Sequence, residues 1–130
     1  MSFLMDLDEF CNSIKKQYPE ISNKADIKYD KYWSRLVEME FSSYSWFEQL
    51  ANAVNDEMAK ETPPEKYTSL MNYIGDEYNV GIAEVKNAID VAFTENLFWQ
   101  IPACKALPYW EKLPKNLQAL YIGFHRYAPL

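Results

Sequence analysis

Between Ile82 and Ile101 the chain reads IAEVKNAIDVAFTENLFWQI, and no other stretch restricts the fold as strongly. Wound at about 3.6 residues per turn, Ile82, Val85, Ile89, Ala92, Phe93 and Leu97 fall on one continuous face. Val91, Phe98 and Trp99 add apolar area away from that stripe. Only Glu84, Asn87 and Glu95 group on a clearly polar side. A helix that is apolar on two sides must be covered on both, so the spacing predicts a central helix wrapped by its neighbours.

The rest of the chain supplies those neighbours. Phe3, Leu7, Phe10, Cys11, Ile14 and Tyr18 keep helical spacing, with Ser2 as N-cap and Pro19 as the stop. Residues 20–31 are polar and weakly patterned and read as a loop. Tyr32–Phe41 fits a helix face (Trp33, Leu36, Val37, Phe41) and also an alternating strand; with no pairing strand in view, helix is favoured. Ser42, Ser43 and Ser45 break the pattern and offer a cap for Tyr44–Lys60, where Phe47, Leu50, Ala51, Val54 and Met58 share a face. Thr62-Pro63-Pro64-Glu65 is written like a capping box with proline in the first helical position. It opens a helix to about Tyr78, with Tyr67, Leu70, Met71 and Ile74 inward and Gly75 as its weak point. Pro102 ends the central helix, Pro108 begins a single turn, and Pro114 starts a last helix with Leu117, Leu120, Tyr121 and Phe124 facing the core. Short connections without repeat or linker give one all-α domain over residues 1–130, with five to six helices around the central one.

Composition narrows the function classes. With 48% hydrophobic residues in 130, a sizeable core is affordable, while three glycines are too few for a fold of many tight turns. No apolar run is long enough to span a bilayer, and acids stand where a signal peptide would carry lysines. Cys11 and Cys104 would meet only if the chain ends did, so buried thiols in a reducing compartment, the cytoplasm, are expected. The net charge of −6 divides unevenly: residues 1–95 hold 18 acids and 9 bases, residues 96–130 one acid and four bases. Such a chain repels phosphate backbones, which argues against nucleic acid and for a partner with a basic contact surface.

Catalytic and cofactor-binding patterns are missing. His125 is the single histidine, near a chain end. Neither cysteine lies beside an evident base, no metal-ligand spacing occurs, and no glycine-rich loop cradles a phosphate. No enzyme activity, cofactor or metal is therefore expected. Carboxylates adjacent on a helix, such as Asp56 and Glu57, point about 100° apart and read as solvated surface. Asn96, close to the apolar stripe, must be hydrogen-bonded, and Asp90 stands one turn from Lys86 and is expected to pair with it. Rings crowd residues 29–47 (Tyr29, Tyr32, Trp33, Tyr44, Trp46, Phe47) and are interspersed with carboxylates. Large amphipathic rings beside acids suit a protein-binding surface, for which Glu40, Tyr44, Trp46, Glu48, Asp56 and Glu57 are the contact candidates.

Two segments carry a family resemblance. Ala88-Ile89-Asp90-Val91-Ala92-Phe93-Thr94-Glu95-Asn96-Leu97 and Tyr109-Trp110-Glu111-Lys112-Leu113-Pro114-Lys115-Asn116-Leu117 resemble small bacterial proteins of unassigned function. Some of that kind are encoded beside polymorphic toxins and act as their immunity partners. The resemblance covers the last third of the chain and brings no catalytic residue with it. It implies a helical domain that neutralises a cognate protein toxin by binding it. The alternative, from a different class, is a structural or regulatory homodimer without catalysis.

Overall fold

A hydrophobic residue every three or four positions, punctuated by proline, builds an array of helices on one shared core. The structure, a computed structural model, describes residues 4–33 and 40–130. Among them are seven α-helices: α1 (Leu7–Gln17), α2 (Pro19–Trp33), α3 (Ser43–Ala59), α4 (Thr68–Val80), α5 (Ala83–Asn87), α6 (Ala103–Lys112) and α7 (Lys115–His125). None of the described helices is long and apolar enough to cross a membrane. No described residue forms a strand, and the all-α expectation holds. The core is one cluster that runs from Leu7 to Tyr121, with Phe10, Trp46, Phe47, Ile74, Ile89, Phe93 and Leu117 fully enclosed. The inward faces expected for α3 and for the segment after Thr62 are the buried ones.

Helix starts differ from the expected ones for local reasons. Asp6, not Ser2, caps α1, in a reciprocal box: the Glu9 amide donates to Asp6 Oδ1 at 2.8 Å and the Asp6 amide to Glu9 Oε1 at 3.1 Å. Ser2 itself lies outside the described residues. Ser42 caps α3 through the Ser45 amide. The box expected at Thr62 does not form: Pro63 stands at the cap of a 3-10 turn, Pro64–Tyr67, that leads into α4. The Thr62 hydroxyl is directed instead to Glu57, at 3.4 Å. Pro108 lies inside α6, which begins five residues earlier, after Pro102.

Residues 20–31, expected to be a loop, belong to α2. Pro19 ends α1 and also serves as the first residue of the next helix, where its missing N–H costs nothing. Only Ile21, Ser22 and Ala25 of α2 are buried, a ridge too narrow to stand out in the sequence. Ala25 is fully buried, and α2 packs chiefly along α3. The expected element at 32–41 falls mostly on residues outside those described.

The central helix is shorter and less regular than its pattern. After α5 the chain widens into a π-helical turn over Ala88–Phe93, tightens into a 3-10 turn at Thr94–Asn96, and then breaks. Phe98 and Gln100 hold left-handed backbone angles, with φ of 68° and 58°, which non-glycine residues adopt at a cost of roughly 1–2 kcal/mol each. Asn55 of α3 secures the break: its Nδ2 donates to the Asn96 carbonyl at 2.9 Å and its Oδ1 accepts from the Phe98 amide at 2.8 Å. Phe98 packs edge-on against Trp110 and Tyr121, and Trp99 is turned outward, 62% exposed. Phe124, expected in the core, is also on the surface.

Candidate functional site

The feature best suited to recognition is an open cleft of about 460 Å³ where α2, α3 and the broken end of the central helix meet. Tyr32 and Trp33 close α2 on one side, and Tyr44, Ser45 and Glu48 rise from the first turns of α3. Gln49, Asn52, Asn96 and Trp99 complete the lining. Amphipathic spacing on α3 explains the division of labour. Phe47, Leu50 and Ala51 point into the core, which leaves Tyr44 and Glu48, one turn apart, together on the outer side.

Glu48 lines the cleft, Asp90 and Glu95 stand near it, and Lys28 and Lys31 flank Tyr32 and Gln49 on its α2 side. Burial raises the Glu48 carboxyl above its ordinary value. Burial raises Asp90 too, and Glu95 is raised by burial and by Asp90, with His125 opposing. The Tyr44 hydroxyl is raised by burial and then by the carboxylates of Glu48, Glu95 and Asp90. Tyr44 therefore senses all three carboxylates, and Glu95 senses Asp90, across α3 and the π-helical turn. Among the described residues, none of the three carboxylates has an ion-pair partner. The expected Lys86–Asp90 pair is not formed. Lys86 Nζ lies instead over the Tyr78 ring, 5.9 Å from its centroid, because the wider π turn takes i,i+4 residues out of alignment.

The six residues singled out in the sequence divide sharply. Tyr44 and Glu48 line the cleft, and Glu40 is exposed but outside its lining. Trp46 is completely buried, with its indole nitrogen donating to Asp26 Oδ1 at 2.8 Å; it is a core residue and offers no contact surface. Glu57 is likewise withdrawn, 3% exposed. Burial by itself would raise its carboxyl, but hydrogen bonds from Tyr67, Lys24 and Lys60 prevail and hold it low. The Tyr67 hydroxyl donates to it at 2.7 Å, and Lys24 and Lys60 stand at 3.2 and 3.4 Å. Asp56, on the rim of that cluster, is paired with Lys28 at 2.6 Å. Two acids that looked available are thus neutralised by lysines of α2, an element the sequence did not disclose.

The cleft residues not nominated from sequence are Tyr32, Trp33, Ser45, Gln49, Asn52, Asn96 and Trp99. Trp99 did leave a signal, since it fell off the apolar stripe of its own helix. Asn96 is hydrogen-bonded as its position required, with its Nδ2 donating to the Ala92 carbonyl at 2.7 Å. His125 is anchored by a 3.0 Å hydrogen bond to the Glu95 carbonyl and stacks on Tyr121. Both cysteines are free thiols, Cys11 buried and Cys104 exposed; burial pushes the Cys11 thiol up to about 11.

The two segments that carry the resemblance serve mainly the core. Ile89, Ala92, Phe93 and Leu97 of the first, and Tyr109, Leu113 and Leu117 of the second, are buried, while Asp90 and Glu95 stand near the cleft. No curated protein and no solved structure matches this chain. Residues 11–127 match the family described as Domain of unknown function (DUF7674), and the chain belongs to that family.

Proposed function

We propose that this protein is a stoichiometric binding protein that transforms no substrate. In its most concrete form it is a cytoplasmic immunity protein that captures a cognate antibacterial toxin through the cleft of Tyr32, Trp33, Tyr44, Glu48 and Trp99. The observation that carries the reading is the company these groups keep. Rings as exposed as Tyr32 (68%) and Trp99 (62%) stand beside carboxylates that no described cation neutralises. Exposed rings are poorly hydrated and gain by being covered, and unpaired carboxylates gain from an incoming cation. The choice of a toxin as partner rests on the resemblance of the Ala88–Leu97 and Tyr109–Leu117 segments.

Binding proceeds in two physical stages. The acidic surface steers a basic partner toward the cleft, which raises the association rate and makes it fall with salt. Covering the rings then supplies the slow dissociation, since a few buried aromatics carry most of an interface's affinity. The test is co-expression with the toxin reading frame beside the gene. Wild type restores growth and co-purifies with the toxin, whereas Glu48→Lys combined with Trp99→Ala does neither while keeping its native circular dichroism. Full protection by the double variant removes the cleft from the interface; no protection by wild type removes the immunity function.

A homodimer is the second reading, and one observation favours it: Ile122, Phe124, Tyr127 and Leu130 near the chain end are 42–67% exposed. A strictly monomeric species by light scattering at high concentration rejects it.

A further inference from the structure

The geometry points to a specific occupant for the cleft: the guanidinium of an arginine presented by a protein partner. This inference rests on the binding reading above and sharpens it to one side chain. Two features of the cleft converge on that chemistry. First, Trp33, Tyr44 and Trp99 bring aromatic surface to a single concavity, and a planar delocalised cation stacks on ring faces better than a compact ammonium does. Second, the concavity contains acceptors. Glu48 contributes a carboxylate with no described ion-pair partner, and beside it stand the amides of Gln49 and Asn52, joined by a 3.3 Å bond from Asn52 Nδ2 to Gln49 Oε1. A guanidinium offers five donors in a fixed fork, enough to engage several of these acceptors at once.

The Trp33 indole nitrogen is buried without a hydrogen-bond partner among the described residues; with no surface open to an occupant, it serves here only as a reporter beside the cleft. A bare metal ion would meet the carboxylate and gain nothing from the rings, which a planar cation covers. The charge around the cleft agrees in sign, since Asp90 and Glu95 raise the negative potential near Tyr44 without belonging to its lining.

The test uses small probes and needs no toxin. Nα-acetylarginine amide, its lysine counterpart and the neutral norleucine counterpart are titrated into 15N-labelled protein while the indole N–H signals are followed. The arginine probe should move the Trp33 and Trp99 signals saturably and leave that of Trp46, which is bonded to Asp26, in place. Glu48→Gln should weaken it about tenfold and Trp99→Leu roughly threefold, both variants retaining the wild-type spectrum elsewhere. Equal binding of the norleucine probe, equal binding of the lysine probe, or no saturable shift overturns the assignment. Because co-expression reads protection and this titration reads cleft chemistry, either idea fails without taking the other with it.

Discussion

Replacing Asn55 by alanine should loosen the fold at the place where the central helix breaks. The side chain, 5% exposed, makes two bonds across the α3 interface, to the Asn96 carbonyl and from the Phe98 amide, at 2.9 and 2.8 Å. Truncation leaves a half-buried acceptor and a buried donor unpaired, at about 1–3 kcal/mol for each. Some of that loss is recovered because the asparagine amide need no longer be buried, which gives a net loss of about 3 kcal/mol. With an unfolding entropy of about 2.1 cal/mol/K per residue, the melting temperature should drop by roughly 10 °C. The assay is urea and thermal unfolding followed by circular dichroism. Asn52→Ala is the control: Asn52 makes one recorded bond, to Gln49 at 3.3 Å, and its removal should cost less than about 1 kcal/mol. Asn55→Asp sharpens the test. It keeps the acceptor for Phe98 but sets a carboxylate against the Asn96 carbonyl, so its folded pKa is raised. The penalty is then full above that pKa and shrinks as pH falls through it, when the protonated acid can donate to Asn96. A loss below about 0.5 kcal/mol for Asn55→Ala would refute the idea that this side chain holds the break and sets the outward position of Trp99.

Four further outcomes are expected. Gly81→Ala should destabilise by roughly 1–3 kcal/mol, since a Cβ there would lie 2.6 Å from the Glu77 carbonyl oxygen. Gly123→Ala, on an open face of α7 with nothing within 4 Å of the new methyl group, should stabilise by about 0.5–1 kcal/mol in the same unfolding assay. A thiol reagent should modify Cys104 in the native protein and reach the buried Cys11 only on unfolding; release of two equivalents from folded protein would contradict that burial. Stability should rise modestly on acidification from neutral pH, because Glu48, Asp90 and Glu95 have raised folded pKa values and shed their penalty as pH falls through them. It should then fall below the ordinary glutamate value of 4.5 as Glu57, held low, begins to protonate. A stability curve that declines steadily from neutral pH downward would show the cleft carboxylates to be unstrained.

The helices with wide apolar faces were legible without coordinates, because Phe47, Leu50, Val54 and Met58 repeat at a spacing that only one conformation brings together. Helix α2 was not legible. Its buried ridge of Ile21, Ser22 and Ala25 has too little apolar area to register, and its stability comes from lying along α3. That omission spread to the site: without α2, the lysines opposite Asp56 and Glu57 were invisible and both acids looked free. Trp46 misled in another way, since a tryptophan among acids looks the same in sequence whether its indole bonds to a partner or, as here, to Asp26. The helix break was hidden because Leu97, Phe98 and Trp99 continue an apolar pattern, while its cause, Asn55, lies more than forty residues away. Tyr44 and Glu48 were within reach because both sit on the outer face of a helix whose inner face was already known.

Titrating purified toxin with this protein and measuring residual toxin activity against molar ratio tests the central claim most directly. Activity should fall linearly and reach its floor at one equivalent, with both chains keeping their intact masses. Elimination of toxin activity by a small fraction of an equivalent, or a covalent change in the toxin, would show catalysis where this account has only binding.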